Sequence, residues 1–314
     1  MTIVPPVATS APRGPAIGRL RRFLSSPTPF IVAFLTPSLL GIALFVFYPS
    51  LYAIYLSFTN ASLIRLEWSF VGLSNFIAFF RDREGLNALR NTYIYVSGVI
   101  VFQFLLGLIF ALALNSVKRG RGVYGALLFL PWVFSDILAV ASWKWFFNDT
   151  YGLLNYYLVR LGFDEVKWLA TPRLAMFVVM LLNIWKGYPF SMVLELSGLQ
   201  TIPPDLYEAA RVDGANRWQL FTLITLPLMR FIMLANIILI TVYTFNIFSL
   251  VYATTGGGPV NATEIIGLFM YRAAFISGRL GFGSAVAVIM FLANVAITIV
   301  YLRTLGRRGT AVEY

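Results

Sequence analysis

Four stretches of this sequence hold no charged side chain, and each outlasts the width of a membrane: Phe23 to Ile64, Asn91 to Val117, Phe231 to Thr263 and Leu280 to Leu302. A helix needs about 20 apolar residues to cross the hydrocarbon core of a bilayer. A water-facing surface cannot be built around four such runs. Soluble chains average about 25% charged residues, whereas this one has 12%, against 59% apolar. The pattern implies an all-α integral membrane protein. Spans are expected at about 30–57, 92–114, 123–147, 174–198, 228–252 and 281–303. The third and fourth are the least regular, because Asp136 and Lys144 interrupt one and Lys186 and Glu195 the other.

Composition narrows the chemistry. With no cysteine there is no disulfide, iron–sulfur cluster or thiol nucleophile. With no histidine the usual transition-metal ligand and the commonest general base are missing. The net charge of +11 does not imply nucleic-acid binding, because basic residues of a membrane protein collect in cytoplasmic loops and set its orientation. With a cytoplasmic N-terminus, thirteen Lys and Arg fall in inside segments and nine in outside loops. The short loop Val117-Lys118-Arg119-Gly120-Arg121 weighs most, since it holds three cations and no acid. Both termini are therefore expected in the cytoplasm. The Pro-, Ser- and Arg-rich segment 1–29 reads as a disordered cytoplasmic tail, 30–303 as the membrane domain, and 304–314 as a second cytoplasmic tail. A secretory signal is not expected, because the first apolar run far exceeds a signal core.

No internal repeat and no phosphate-binding GxxxxGK[ST] loop is present; Gly256-Gly257-Gly258-Pro259 lacks the lysine such a loop needs. Any ATP-driven step must then use an ATPase on another chain.

The most informative loop lies at about 200–227. Pro203 and Pro204 suit the start of a helix. Asp205 and Arg211 match the two ends of its dipole, and Gly214 supplies a left-handed stop. Asn216, with Gln219 three residues on, has the form of a cap for a second helix. The expected local structure is a short helix, a sharp turn and a second helix entering span five.

In this loop Glu208-Ala209-Ala210, then Gly214, Ile224 and Leu226-Pro227, stand at the spacing of the EAA motif. They resemble the bacterial ABC importer permeases. Gly198-Leu199-Gln200-Thr201-Ile202-Pro203, Asp213-Gly214-Ala215 and Thr255-Gly256-Gly257-Gly258-Pro259 resemble the carbohydrate-uptake branch, which includes the larger maltose permease subunit and a glycerol-phosphate permease. The resemblance covers about residues 30 to 303. It implies a type I ABC importer permease fold with six transmembrane helices, in a bacterial or archaeal plasma membrane. It also implies no enzymatic activity and no cofactor in this chain, ATP and Mg being bound by partners. Those partners would be a second homologous permease, two ATPase subunits and an extracytoplasmic solute-binding protein, the last met by the loops at 59–91 and 148–173. Glu208, Ala209, Ala210, Asp213 and Gly214 would dock the ATPase.

Asp136 and Lys186 admit two readings. Charges at mid-membrane face a cavity or a partner, so the two either brace spans, with each other or with Lys144 and Glu195, or line a solute path. The resemblance favours the path. It carries sugar-contacting positions onto Trp132, Asp136, Asn183, Lys186, Gly187, Phe190, Tyr243, Thr244 and Ile247. Aromatic faces stack on sugar rings, amides and carboxylates bond hydroxyls, and Gly187 would allow close approach to the backbone. Asp136 and Lys186 are charged where the maltose permease is neutral, and Ile247 replaces an amide, so the solute stays open, extending to phosphorylated or amino compounds. The rival reading is an ion-gradient-driven secondary transporter with Asp136 or Glu195 as its ion site.

Overall fold

A computed structural model describes residues 28–65 and 67–304. The expected tails lie outside these residues, except for Thr28, Pro29 and Thr304, which are helical. Among the described residues there is no β-strand, and the one bridge pairs Thr59 with Phe70.

The chain divides into two units, Met1–Tyr55 and Leu56–Tyr314. The first holds most of α1, the span Ile31–Ser57. Pro37 lies inside it, and its side chains are exposed on every side from Ile31 to Leu40. A helix that is apolar all round needs a non-aqueous surrounding.

The second unit is built on two long helices, α3 (Arg83–Ser116) and α7 (Pro172–Thr201), which pack along much of their lengths. Gly107 lets them approach closely, since a Cβ there would stand 2.6 Å from the Ser191 Cβ; small residues serve this purpose between membrane helices, where apolar burial gives no drive. The charges at Arg83, Glu84 and Arg90 placed the start of this span near 92, but the helix runs on to Asp82. That side chain accepts from the backbone N–H of Glu84 and Gly85, at 2.9 and 3.3 Å, and supplies the cap. Ahead of it, α2 (Ser74–Arg81) packs on α3 and on the last helix, α12 (Leu280–Thr304).

The third span, expected over 123–147, is not one continuous helix. It is broken into α4 (Arg121–Val133) and α5 (Asp136–Phe146), bent by 89°. Pro131 sits near the end of α4, where a missing N–H and a bulky ring weaken the helix. Ser135 then starts α5 as its cap, accepting from Leu138 N at 3.3 Å. A short α6 (Leu153–Arg160) follows.

After α7 come α8 (Pro204–Val212) and α9 (Arg217–Asn246). Span five was expected at 228–252. It instead starts at the Asn216 cap, runs through wider turns at Leu220–Thr225 ahead of Pro227, and stops at Asn246. Ile247 is extended, and α10 (Ser249–Thr254) is a separate helix. The segment α11 (Ile266–Ile276) completes the unit before α12. Counting the bent pair as one, six helical segments among the described residues are long and apolar enough to span.

Candidate functional site

The loop between α7 and α9 has the local structure its residues dictate. Asp205 is in the first turn of α8 and Arg211 in the last. Ala215 N donates to Ala210 O at 2.8 Å across the turn, with Gly214 at φ +86°. That conformation costs a residue with a Cβ roughly 1–2 kcal/mol. Asn216 and Gln219 form a reciprocal capping box, at 2.8 and 2.9 Å. One side of α8 is anchored: the Tyr207 hydroxyl meets Thr225 Oγ1 at 2.9 Å and its ring packs against the apolar cluster that includes Ile202 and Met229. The other side is open. Glu208, Ala209, Asp213 and Gly214 are exposed and Ala210 is half-buried. Val212 and Trp218 are 88% and 71% exposed. Val212 ends α8 and Trp218 lies in the first turn of α9, so the exposed apolar side chains flank the turn.

The second feature is a cavity of about 310 Å³ between α3, α4, α7 and α9. Six of the nine candidate solute residues line it: Trp132, Asn183, Lys186, Gly187, Phe190 and Tyr243. Trp132, Phe190 and Tyr243 are exposed, offering aromatic faces. Asn183 is buried, and its Nδ2 has no hydrogen-bond partner among the described residues. Asp136 reaches the cavity only through Lys186, whose Nζ lies 3.1 Å from Asp136 Oδ1. Thr244 and Ile247 are buried and are not among the lining residues.

The break between α4 and α5 accounts for the lysine. Ending α4 frees the Phe134 carbonyl, and an unpaired carbonyl away from water is costly. Lys186 Nζ donates to it at 2.7 Å. Asp136, in the first turn of α5, then accepts the lysine's charge and also a bond from Ser249 Oγ at 3.4 Å. One cation thus closes a broken span and borders a cavity, so bracing and lining are not exclusive. Lys144 is exposed in the last turn of α5, and Glu195 pairs with Asn236 instead.

Two lining features escaped the sequence reading. Leu239 and Ile240 are apolar wall, with nothing to distinguish them from other residues of span five. Gln103 did carry a signal, being an amide in the middle of an uncharged run where polar side chains are few and functional. Its carboxamide occupies the space beside Gly187 that was expected for a ligand.

Residues 103–308 match the family described as binding-protein-dependent transport system inner membrane component. The chain belongs to that family. This permease is thus a subunit of an ABC importer, a transport component rather than an enzyme. It is 36% identical over 267 residues to the trehalose/maltose transport system permease protein of Thermococcus litoralis, covering 85% of this chain and 90% of that one. It is 34% identical over 273 residues to the sulfoquinovosyl glycerol transport system permease protein of Agrobacterium fabrum, covering 87% and 89%. Among solved structures it is similar to a bacterial alginate ABC transporter in complex with alginate pentasaccharide-bound periplasmic protein. The TM-score is 0.79 at 22% identity, over 90% of this permease and 95% of that chain. At that identity the likeness is one of fold, the type I importer permease fold.

Proposed function

We propose that this permease moves a neutral saccharide or polyol inward, by alternating access driven by ATP on separate ATPase subunits. The observation that carries the reading is the cavity. Aromatic faces at Trp132, Phe190 and Tyr243 are combined there with the amide of Asn183, and the bordering cation Lys186 is neutralised by Asp136. A neutralised lysine donates hydrogen bonds without selecting for an anion. Similarity to a trehalose/maltose permease points the same way.

In this mechanism closure of the ATPase dimer pushes α8 through Glu208, Ala209, Ala210, Asp213 and Gly214. The push reaches α9 through the Tyr207–Thr225 contact, and the cavity turns outward to receive solute from an extracytoplasmic binding protein. A second homologous permease completes the pathway. The loop carrying Lys118, Arg119 and Arg121 and both termini lie on the cytoplasmic side.

Vesicles carrying the full transporter, with ATP and the cognate binding protein, test the solute class. Saturable uptake of radiolabelled maltose or trehalose, uncompeted by a uronic-acid disaccharide, supports it. Uptake confined to the acidic or a phosphorylated sugar refutes it.

A further inference from the structure

Gln103 projects from the middle of α3 into the contact with α7 and is 6% exposed. Its Nε2 lies 3.2 Å from Gly187 O and 3.2 Å from Ser191 Oγ. A backbone carbonyl only accepts, so the nitrogen must be the atom that faces Gly187, which fixes the orientation of the amide. Both amide hydrogens are then committed to α7. The remaining group is the carbonyl oxygen Oε1, which has no hydrogen-bond partner among the described residues, on a side chain that lines the cavity.

Gly187 holds this arrangement open. A Cβ at that position would stand 2.6 Å from Gln103 Cδ and 2.8 Å from Nε2, with Oε1 closer still. Any larger residue would displace the carboxamide. One turn before Gly187 on α7, Asn183 also lines the cavity and holds the opposite half of a hydrogen bond, since its Nδ2 is buried and has no partner among the described residues. A buried amide group left unpaired is costly, so a free donor and a free acceptor on two residues that line one cavity point to a ligand that completes both.

We propose that Gln103 is a solute-contacting residue that selects for neutral polyhydroxyl compounds: its Oε1 accepts from one ligand hydroxyl while Asn183 Nδ2 donates to another. A hydroxyl donates and accepts at once, so a sugar satisfies both amides. A carboxylate or phosphate brings only acceptors and would set its lone pairs against Oε1. Gly187 acts through Gln103, as the seat of its amide, rather than by exposing backbone to the solute. The assignment rests on the saccharide reading of the cavity.

The chain has no native cysteine, so Gln103→Cys introduces a thiol unique to this subunit. The complete transporter in membrane vesicles is treated with a small water-soluble methanethiosulfonate, and adduct formation on this subunit is followed by mass. Labelling that maltose or trehalose slows at least threefold is expected. Gly187→Ala, which pushes the amide out without altering it, is expected to raise the half-saturating sugar concentration for uptake about tenfold. If Gln103→Cys does not assemble, Gly187→Ala decides alone. An unlabelled thiol in an assembled transporter, labelling unaffected by a sugar that wild type transports, or unchanged half-saturation in Gly187→Ala each overturns the role of Gln103. Wild type that takes up neither sugar sinks the saccharide reading instead, a result visible before any variant is made.

Discussion

Glu195 and Asn236 form a polar contact between α7 and α9, the two helices that flank α8, and its removal should be costly. Both are fully buried, one on α7 and one on α9, and Asn236 Nδ2 donates to Glu195 Oε1 at 2.7 Å. Glu195 Oε2 and Asn236 Oδ1 have no partner among the described residues. Glu195→Ala strips the amide of Asn236 of its acceptor, which costs about 1–3 kcal/mol for a buried polar group. The lost carboxymethyl group leaves a void, adding about 1–2 kcal/mol at ~24 cal/mol per Å³. A total of about 3 kcal/mol is a factor of roughly a hundred in the folded ratio. Glutamine has the same outline, keeps an oxygen for Asn236 Nδ2 and offers an N–H to Asn236 Oδ1, so Glu195→Gln should stay within about 1 kcal/mol of wild type. The assay is thermal melting of the purified transporter in detergent, followed by size-exclusion chromatography. The alanine variant should melt well below wild type and the glutamine variant close to it. Equal melting of all three removes the contact from the account. A glutamine variant that melts normally but fails to transport would show that the acid itself is used, as in an ion-coupled carrier.

Further outcomes follow from other contacts. Glu208→Lys and Gly214→Val should both leave the subunit in the membrane while uncoupling ATP hydrolysis from uptake; the second places a β-branched residue at φ +86°. Uptake at the wild-type rate in either variant would defeat the docking assignment. Asp136→Leu with Lys186→Leu should assemble better than either single change, because a lone buried charge is worse than none, yet lose at least tenfold in uptake; normal uptake would reduce the pair to a brace. In the loop before α11, Glu264 lies 2.9 Å from Arg272, which also bonds Gly256 O. Burial pushes its carboxyl above the ordinary range, with Arg272 opposing and Glu84 adding to the rise. A raised native pKa favours the fold below the unfolded carboxylate pKa and loses that contribution as pH climbs through the native value. Glu264→Gln should therefore flatten the decline in melting temperature above the usual glutamate range; an unchanged slope would refute this.

The membrane character and the local structure of the loop between α7 and α9 were legible because each rests on local chemistry. Uncharged length dictates spans, and Pro203, Gly214 and the Asn216–Gln219 pair dictate the turn whatever surrounds them. Element ends were less legible. The Asp82 cap carries α3 well past its apolar run, since helix formation does not stop where hydrophobicity does. The break at Phe134 was written in Pro131 and Ser135, but a hydropathy window reads through both. Pairing across helices was the least accessible. That Lys186 would take the Phe134 carbonyl, that Glu195 would meet Asn236, and that Gln103 would fill the space over Gly187 all depend on how α3, α5, α7 and α9 pack. No single helix carries that information.

The energy source tests the central claim most directly. The permease should be reconstituted into proteoliposomes with its partner permease, ATPase subunits and binding protein, and uptake of labelled maltose or trehalose followed with ATP or its non-hydrolysable analogue on the ATPase side. Uptake that requires hydrolysable ATP, ceases when the ATPase subunits are omitted and persists when ion gradients are collapsed is the predicted result. Uptake by this chain alone, driven by a proton or sodium gradient without ATP, would contradict it.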